Sequence, residues 1–182
     1  ALTGIAPWTI VYSDGVSESG ILTSPHTREV TPSRTTVYTI TNVTDANCSN
    51  TGTGSATVTI NAKPTAVLSG TTYICAGSST ELKVALTGEA PWSLTFSDSP
   101  TPIVTSSNPY VREVSPATTT AYTITNVTDN NGCSNAGTGS ATITVNPLPT
   151  ATISGTTSIC NGEHAQLTVN LTGIAPFLIS FN

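Results

Sequence analysis

The chain has no methionine, two histidines and only 8% Asp, Glu, Lys and Arg over 182 residues, where ordinary soluble domains carry roughly 25% charged residues. Its five Lys and Arg are scattered and its formal net charge is −5, which excludes nucleic acid and an anionic membrane surface as partners. No apolar run approaches the ~20 residues of a spanning helix, so this segment is not expected to insert in a membrane. No basic, apolar and small-residue series marks a signal peptide. Gly-x-Ser-x-Gly, a Gly-rich phosphate loop and Cys-x-x-Cys are all missing, and His26 and His164 occupy unrelated places. Nothing here pairs a nucleophile with a base, two carboxylates across a cleft, or ligands around zinc. The expectation is no enzyme activity, no metal and no cofactor.

What fills the chain is Thr, Ser and Asn around a 37% hydrophobic content. β-Branched Thr suits strands with neutral polar outer faces. The sequence also repeats. Leu2-Thr3-Gly4-Ile5-Ala6-Pro7-Trp8 returns as Leu86-Thr87-Gly88-Glu89-Ala90-Pro91-Trp92 and as Leu171-Thr172-Gly173-Ile174-Ala175-Pro176-Phe177. The spacing, 84 residues from Trp8 to Trp92 and 85 from Trp92 to Phe177, exceeds a solenoid unit and fits one small sandwich. Its phase predicts the C-terminal part of a repeat at 1–63, a complete repeat at 64–148 and the N-terminal part of a third at 149–182. That reads as a window onto a longer protein, with Pro-containing linkers at 61–64 and 146–149 that are short and stiff.

Within the complete repeat the pattern predicts seven strands, at 66–75, 81–86, 92–96, 102–107, 110–114, 119–128 and 139–145, separated by Ser, Asn, Pro and Gly turns. Alternation turns Leu82, Val84 and Leu86 inward, then Trp92, Leu94 and Phe96, then Tyr122 and Ile124, and finally Ala141, Ile143 and Val145. A phase change at Val127 places a bulge near Asn126. The fold class is all-β: tandem immunoglobulin-like β-sandwich repeats of about 85 residues. Trp8, Trp92, Phe177, Tyr38 and Tyr122 are its expected core aromatics; for the Trp position, sugar stacking is the weaker alternative.

Ile74-Cys75-Ala76-Gly77, Leu-Thr-Gly-x-Ala-Pro-Trp, Thr-x-Tyr-Thr-Ile-Thr-Asn-Val-Thr-Asp, the Asn-Gly-Cys turn and Gly-Ser-Ala-Thr-Ile-Thr-Val together resemble the immunoglobulin-like and PKD-like repeats of Bacteroidetes surface proteins exported by type IX secretion, gliding-motility adhesins among them. The resemblance covers essentially the whole chain. It implies an extracellular, cell-surface filament or stalk, with neighbouring repeats and laterally associated copies as partners. A multivalent module for surface polysaccharide is the alternative.

Cys48, Cys75, Cys133 and Cys160 are disulfide candidates of two kinds, each recurring after 85 residues, and their regular placement favours an oxidising setting over zinc. If 102–107 is a separate strand, Cys75 and Cys133 lie at opposite ends of the sandwich and a bond between neighbouring repeats is favoured. If it is not, a bond within the repeat becomes natural. Arg28 and Arg112 suggest packing over an aromatic ring or pairing with a carboxylate rather than an adhesive contact. Asp45 and Asp129, with Asn130 and Asn131, offer oxygens to calcium but lack the Asp-x-Asp-x-Asp-Gly spacing. Asn42, Asn126 and Asn170 fall in glycosylation sequons, common by chance in such a composition.

Overall fold

The structure, a computed structural model, describes residues 1–181. Among them there is no helix, and the chain divides into two compact units, Ala1–Ala62 and Lys63 onward.

The second unit contains the one closed sandwich. Its strands are β6 (Ala66–Ser69), β7 (Thr72–Cys75), β8 (Thr80–Leu86), β9 (Trp92–Phe96), β10 (Ser99–Thr105), β11 (Tyr110–Val114), β12 (Thr120–Tyr122), β13 (Ile124–Thr128), β14 (Ser134–Asn135) and β15 (Ala141–Asn146). One sheet runs β11-β8-β6. The other is assembled from β12-β15-β7 and β10-β9-β13-β14. β12 and β13 are successive parts of one run, the first beside β15 and the second beside β9, with a register shift between Ile124 and Asn126. That shift is the bulge expected near Asn126.

Period-two burial builds the core between the sheets. Leu82, Val84, Leu94, Val127, Ala141 and Ile143 have no exposed surface, and fifteen buried residues form one cluster. Val145 is only partly buried against it.

The 66–75 stretch is not the single strand that its pattern suggests. β6 pairs antiparallel with β8, whereas β7 pairs parallel with β15 in the other sheet. The chain crosses between sheets at Gly70, whose φ of +126° few other residues adopt. The fourth strand is separate, but spans 99–105 rather than 102–107. The last is interrupted too. Thr138, between β14 and β15, exchanges backbone hydrogen bonds with β6: its N–H donates to Ala66 O at 2.8 Å and its C=O accepts from Leu68 N at 2.9 Å. There a Cβ on Gly139 would sit 2.4 Å from Leu68 O.

The N-terminal unit repeats the later strands of this sandwich. β1 (Trp8–Tyr12) matches β9, β2 (Ser17–Ile21) matches β10, β3 (Thr36–Thr44) matches β12 and β13, and β4 (Ser49–Asn50) and β5 (Ser55–Val58) match β14 and β15. Among the described residues this unit shows no strands corresponding to β6, β7 and β8. Only Trp8, Ile10 and Ile21 form its buried cluster, and Tyr38 is half-buried. Residues 26–30, similar in sequence to β11, are not a strand here; β11 owes its pairing to β8, which has no counterpart in this unit.

Beyond the sandwich, β16 (Thr150–Ser154) and β17 (Thr168–Thr172) pair as β6 and β8 do, with Ala151 opposite Leu171 as Ala66 is opposite Leu86. Phe177 is 38% exposed, not the core residue that alternation predicts. Trp92 is buried because β9, beside β13, faces the β11-β8-β6 sheet, and among the described residues no such strands surround Phe177.

Candidate functional site

Arg112 projects inward from β11, on the same side as Tyr110 and Val114. It reaches the other sheet, where Nη1 and Nη2 donate to the two carboxylate oxygens of Asp98 at 2.8 and 2.7 Å, and its guanidinium lies 4.5 Å from the Phe96 ring centre. The planar fork suits this bidentate grip, and the ring supplies a cation–π contact. The N-terminal unit repeats the clip. Arg28 holds Asp14, with Nη2–Oδ2 at 2.6 Å, and lies over Tyr12 at 4.4 Å. Around Arg28 the surroundings are more polar: Tyr12 Oη donates to Glu18 at 3.0 Å, and His26 Nε2 lies 2.9 Å from the same carboxylate oxygen. The counterparts of Glu18 and His26 in the complete repeat are Pro102 and Tyr110, so the cluster is not a property of the repeat. Both arginines therefore do what packing and pairing suggest.

The Arg112 guanidinium holds the Asp98 carboxyl below the usual carboxylate range, through its hydrogen bonds first. A carboxylate depressed in the folded state stabilises the fold above its unfolded pKa, about 3.9, and that contribution is lost as pH falls through the folded value. We expect the melting temperature of residues 64–148 to drop on acidification below about pH 4. The drop should be shallower in Asp98→Asn, measured by circular dichroism at matched ionic strength.

Asp129 is 5% exposed. Its Oδ1 accepts backbone N–H groups of Asn131 and Cys133 at 3.1 and 3.0 Å, and its Oδ2 faces Glu89 N at 3.5 Å. Asp45 repeats the arrangement with Asn47, Cys48 and Ile5 at 2.8, 2.7 and 3.1 Å. These amides, that of Cys48 foremost, hold the Asp45 carboxyl below its ordinary range. The two aspartates that sequence offers to calcium thus each accept from two turns of their own unit. Two of the three sequon amides are also engaged: Asn42 and Asn126 each donate to the hydroxyl of the Thr two residues on, at 3.1 Å.

The four cysteines form no disulfide among the described residues. Cys75 stands opposite Asn146, the last residue of β15, whereas Cys133 lies in the turn before β14. The run of β12 and β13 between those ends, Thr120 to Thr128, holds nine residues, which at ~3.3 Å each span about 30 Å. A disulfide needs Cα atoms within about 7 Å, so this separation disfavours a bond within the repeat. Each repeat thus carries one cysteine beside its incoming linker and one beside its outgoing linker.

Two facing sheets, an A-type strand shared between them and a first strand running parallel to the last decide the architecture. The fold is immunoglobulin-like. No protein-family model and no curated protein matches the chain. Among solved structures it is similar to three immunoglobulin domains of a titin E-to-A variant, at 15% identity and a TM-score of 0.49, over 92% of this chain and 67% of that one. It is also similar to the N-terminal four immunoglobulin domains of Dscam1, at 11% identity and 0.33, over 76% and 36%.

On these immunoglobulin-like repeats the exposed aromatic of the complete unit is Tyr73, 74% exposed, and the next repeat has Ser158 in its place. A shallow groove of about 510 Å³ is lined by Gly70, Thr72, Glu81 and Lys83. Its two charges become Gln166 and Thr168 in the next repeat. Neither feature recurs as a shared ligand site would.

Proposed function

We propose that this chain is a run of structural repeats from a secreted bacterial cell-surface filament or stalk, an adhesin used in attachment or gliding. The observation that carries the reading is the position of the linkers in the complete repeat. Pro64 O accepts from Asn135 beside the β13–β14 turn, whereas Pro147 follows the Asn146–Cys75 pair at the other end. A unit entered at one end and left at the other adds its full length to an array, and its core is closed without help from a neighbour. Low charge limits self-repulsion between copies lying side by side. Antibody raised against residues 64–148 should label extended fibres on expressing cells by immunogold microscopy; label confined to compact particles would sink the filament.

The cysteine positions support a covalent brace. In a tandem array the outgoing-side cysteine, of the Cys75 and Cys160 kind, meets the incoming-side cysteine, of the Cys48 and Cys133 kind, of the following repeat. When two copies of residues 64–148 are joined head to tail and oxidised with glutathione disulfide, peptide mapping should find Cys75 of the first joined to Cys133 of the second. Recovery of both as glutathione adducts would overturn the brace while leaving the filament standing.

A further inference from the structure

Two strand edges on one flank of the complete repeat lack a neighbour among the described residues: β10 ends one sheet and β11 ends the other. The Arg112–Asp98 pair ties the two sheets together there. As surfaces for another strand these edges differ. β10 carries Pro100 and Pro102, which have no N–H to donate, and its pairing with β9 slips between Ser99 and Ile103. Prolines and irregular register are how natural sheets protect an edge. β11, Tyr-Val-Arg-Glu-Val, has no proline, and its five residues keep one unbroken register with β8.

Neighbouring side chains show which main-chain groups that edge presents. Asn108 Nδ2 donates to Leu86 O at 2.8 Å, and Asn108 Oδ1 accepts from Leu86 N at 3.0 Å, so Leu86 turns its backbone toward β11. Thr87 turns the other way, its N–H donating to Thr65 O at 3.0 Å. This direction alternates along a strand, so Val84 and Leu82 bond their partners Tyr110 and Arg112, and Val111 and Glu113 hold their N–H and C=O groups outward from the edge. Both side chains are exposed on the outer face. There the charges are unbalanced. Glu113 stands opposite Glu81, while Lys83, opposite Val111, makes no ion pair among the described residues. Like charges facing each other across a strand pair are destabilising. Ser79 Oγ donates to Glu113 Oε1 at 2.5 Å, which leaves Oε2 for a cation.

We propose that β11 is a pairing edge whose partner is β11 of a second copy, antiparallel about a two-fold axis at Arg112. For its biological role this rests on the reading of filaments whose copies lie side by side. Bonds and charge set the register. With Arg112 opposite Arg112, Val111 of each copy faces Glu113 of the other, and each such pair exchanges both backbone bonds. Centred on Val111, the edge would instead set Glu113 against Pro109, which has no N–H. The first register also runs the Lys83–Val111 row of one copy into the Glu113–Glu81 row of the other, so each lysine gains a carboxylate across the small valine. The arginines at the axis point inward, each neutralised by its own Asp98. Copies joined this way run in opposite directions. Five residues a side bury far less than the ~1,600 Å² of a stable interface, so one contact is weak and depends on copies concentrated at a surface.

The test uses residues 64–148, whose buried cluster lies wholly within 66–143, in a Cys75→Ser and Cys133→Ser background. Val111→Cys and Glu113→Cys act at exposed positions, and an unchanged melt verifies that each variant folds. In the proposed register the Cα atoms of 111 and 113 lie about 5.5 Å apart across the pair, within disulfide reach. Two copies of 111, or two of 113, lie about 7–8 Å apart. Mixed at about 500 µM and oxidised, the two variants should give at least fivefold more cross-linked dimer than either gives alone. Amide shifts of the cysteine-free repeat should change with concentration and centre on 110–114. Lys83→Glu should weaken self-association at least threefold, and adding Glu113→Lys should restore it. A mixture that cross-links no better than either variant alone, or shifts centred on another edge, overturns the pairing. Fibre labelling on cells is unaffected by either result, so failure of the filament is read separately.

Discussion

Gly139→Ala should lower the melting temperature of residues 64–148 by roughly 15 °C, at about 3 kcal/mol and 4–8 °C per kcal/mol for a domain of this size. Two effects add. At φ +76° a Cβ costs about 1–2 kcal/mol, and its 2.4 Å approach to Leu68 O is to backbone held by the Thr138 bonds, which cannot yield without loosening β6. Forced overpacking of this kind costs about 1–3 kcal/mol more. The matching change in the N-terminal unit, Gly54→Ala, meets only the first effect, because nothing lies within 4 Å of the added atom. Its cost should stay near 1–2 kcal/mol. Urea titration of both variants, followed by tryptophan emission from Trp8 and Trp92, measures the contrast. Equal losses at the two glycines would show that backbone conformation alone, and not the approach of β6, requires glycine there.

Asp129→Ala is the second large effect expected. Alanine leaves the N–H groups of Asn131 and Cys133 without their acceptor in a turn where the carboxylate is almost wholly buried. An orphaned buried donor costs about 1–3 kcal/mol, so a loss of about 3 kcal/mol is expected for the repeat. The β8–β9 connection loosens with it, since Glu89 N faces the same carboxylate and Asn130 N–H donates to Glu89 O at 2.9 Å. Asp129→Asn retains an acceptor oxygen and should recover part of the loss. Equilibrium denaturation gives the magnitude, and amide exchange at Glu89 and Cys133 distinguishes a local opening from global unfolding. A melt unchanged by Asp129→Ala would mean that water replaces the carboxylate at no cost.

Much of the fold is legible in the residues, for a physical reason. Where a strand has one face in the core, period-two alternation is enforced, so Leu82, Val84, Leu94 and Ile143 declare their direction without reference to any partner. The Asn126 bulge is legible in the same way, as a break of phase. What alternation cannot carry is which sheet a strand joins. Residues 66–75 keep a plausible strand pattern straight through Gly70, and only the pairing partners, β8 for one half and β15 for the other, reveal the crossing. For Arg112 the kind of contact is legible but not the partners, because Asp98 and Phe96 are brought to it only when the two sheets face each other. Phe177 fails for a different reason: burial belongs to the strands around a residue, and the residue's own pattern is silent about whether they are present.

The parallel pairing of β7 with β15 has a mechanical consequence. These strands lie next to the outgoing linker and the chain's first sheet crossing, and their register joins Thr72–Cys75 to Ile143–Asn146. Tension applied through the two linkers drags neighbouring parallel strands past one another in shear, so their cross-strand bonds share the strain and must rupture together. An antiparallel pairing at the same place would instead be peeled open one bond at a time. In this geometry the force that opens the sandwich is governed by that shear and is a separate quantity from its thermodynamic stability.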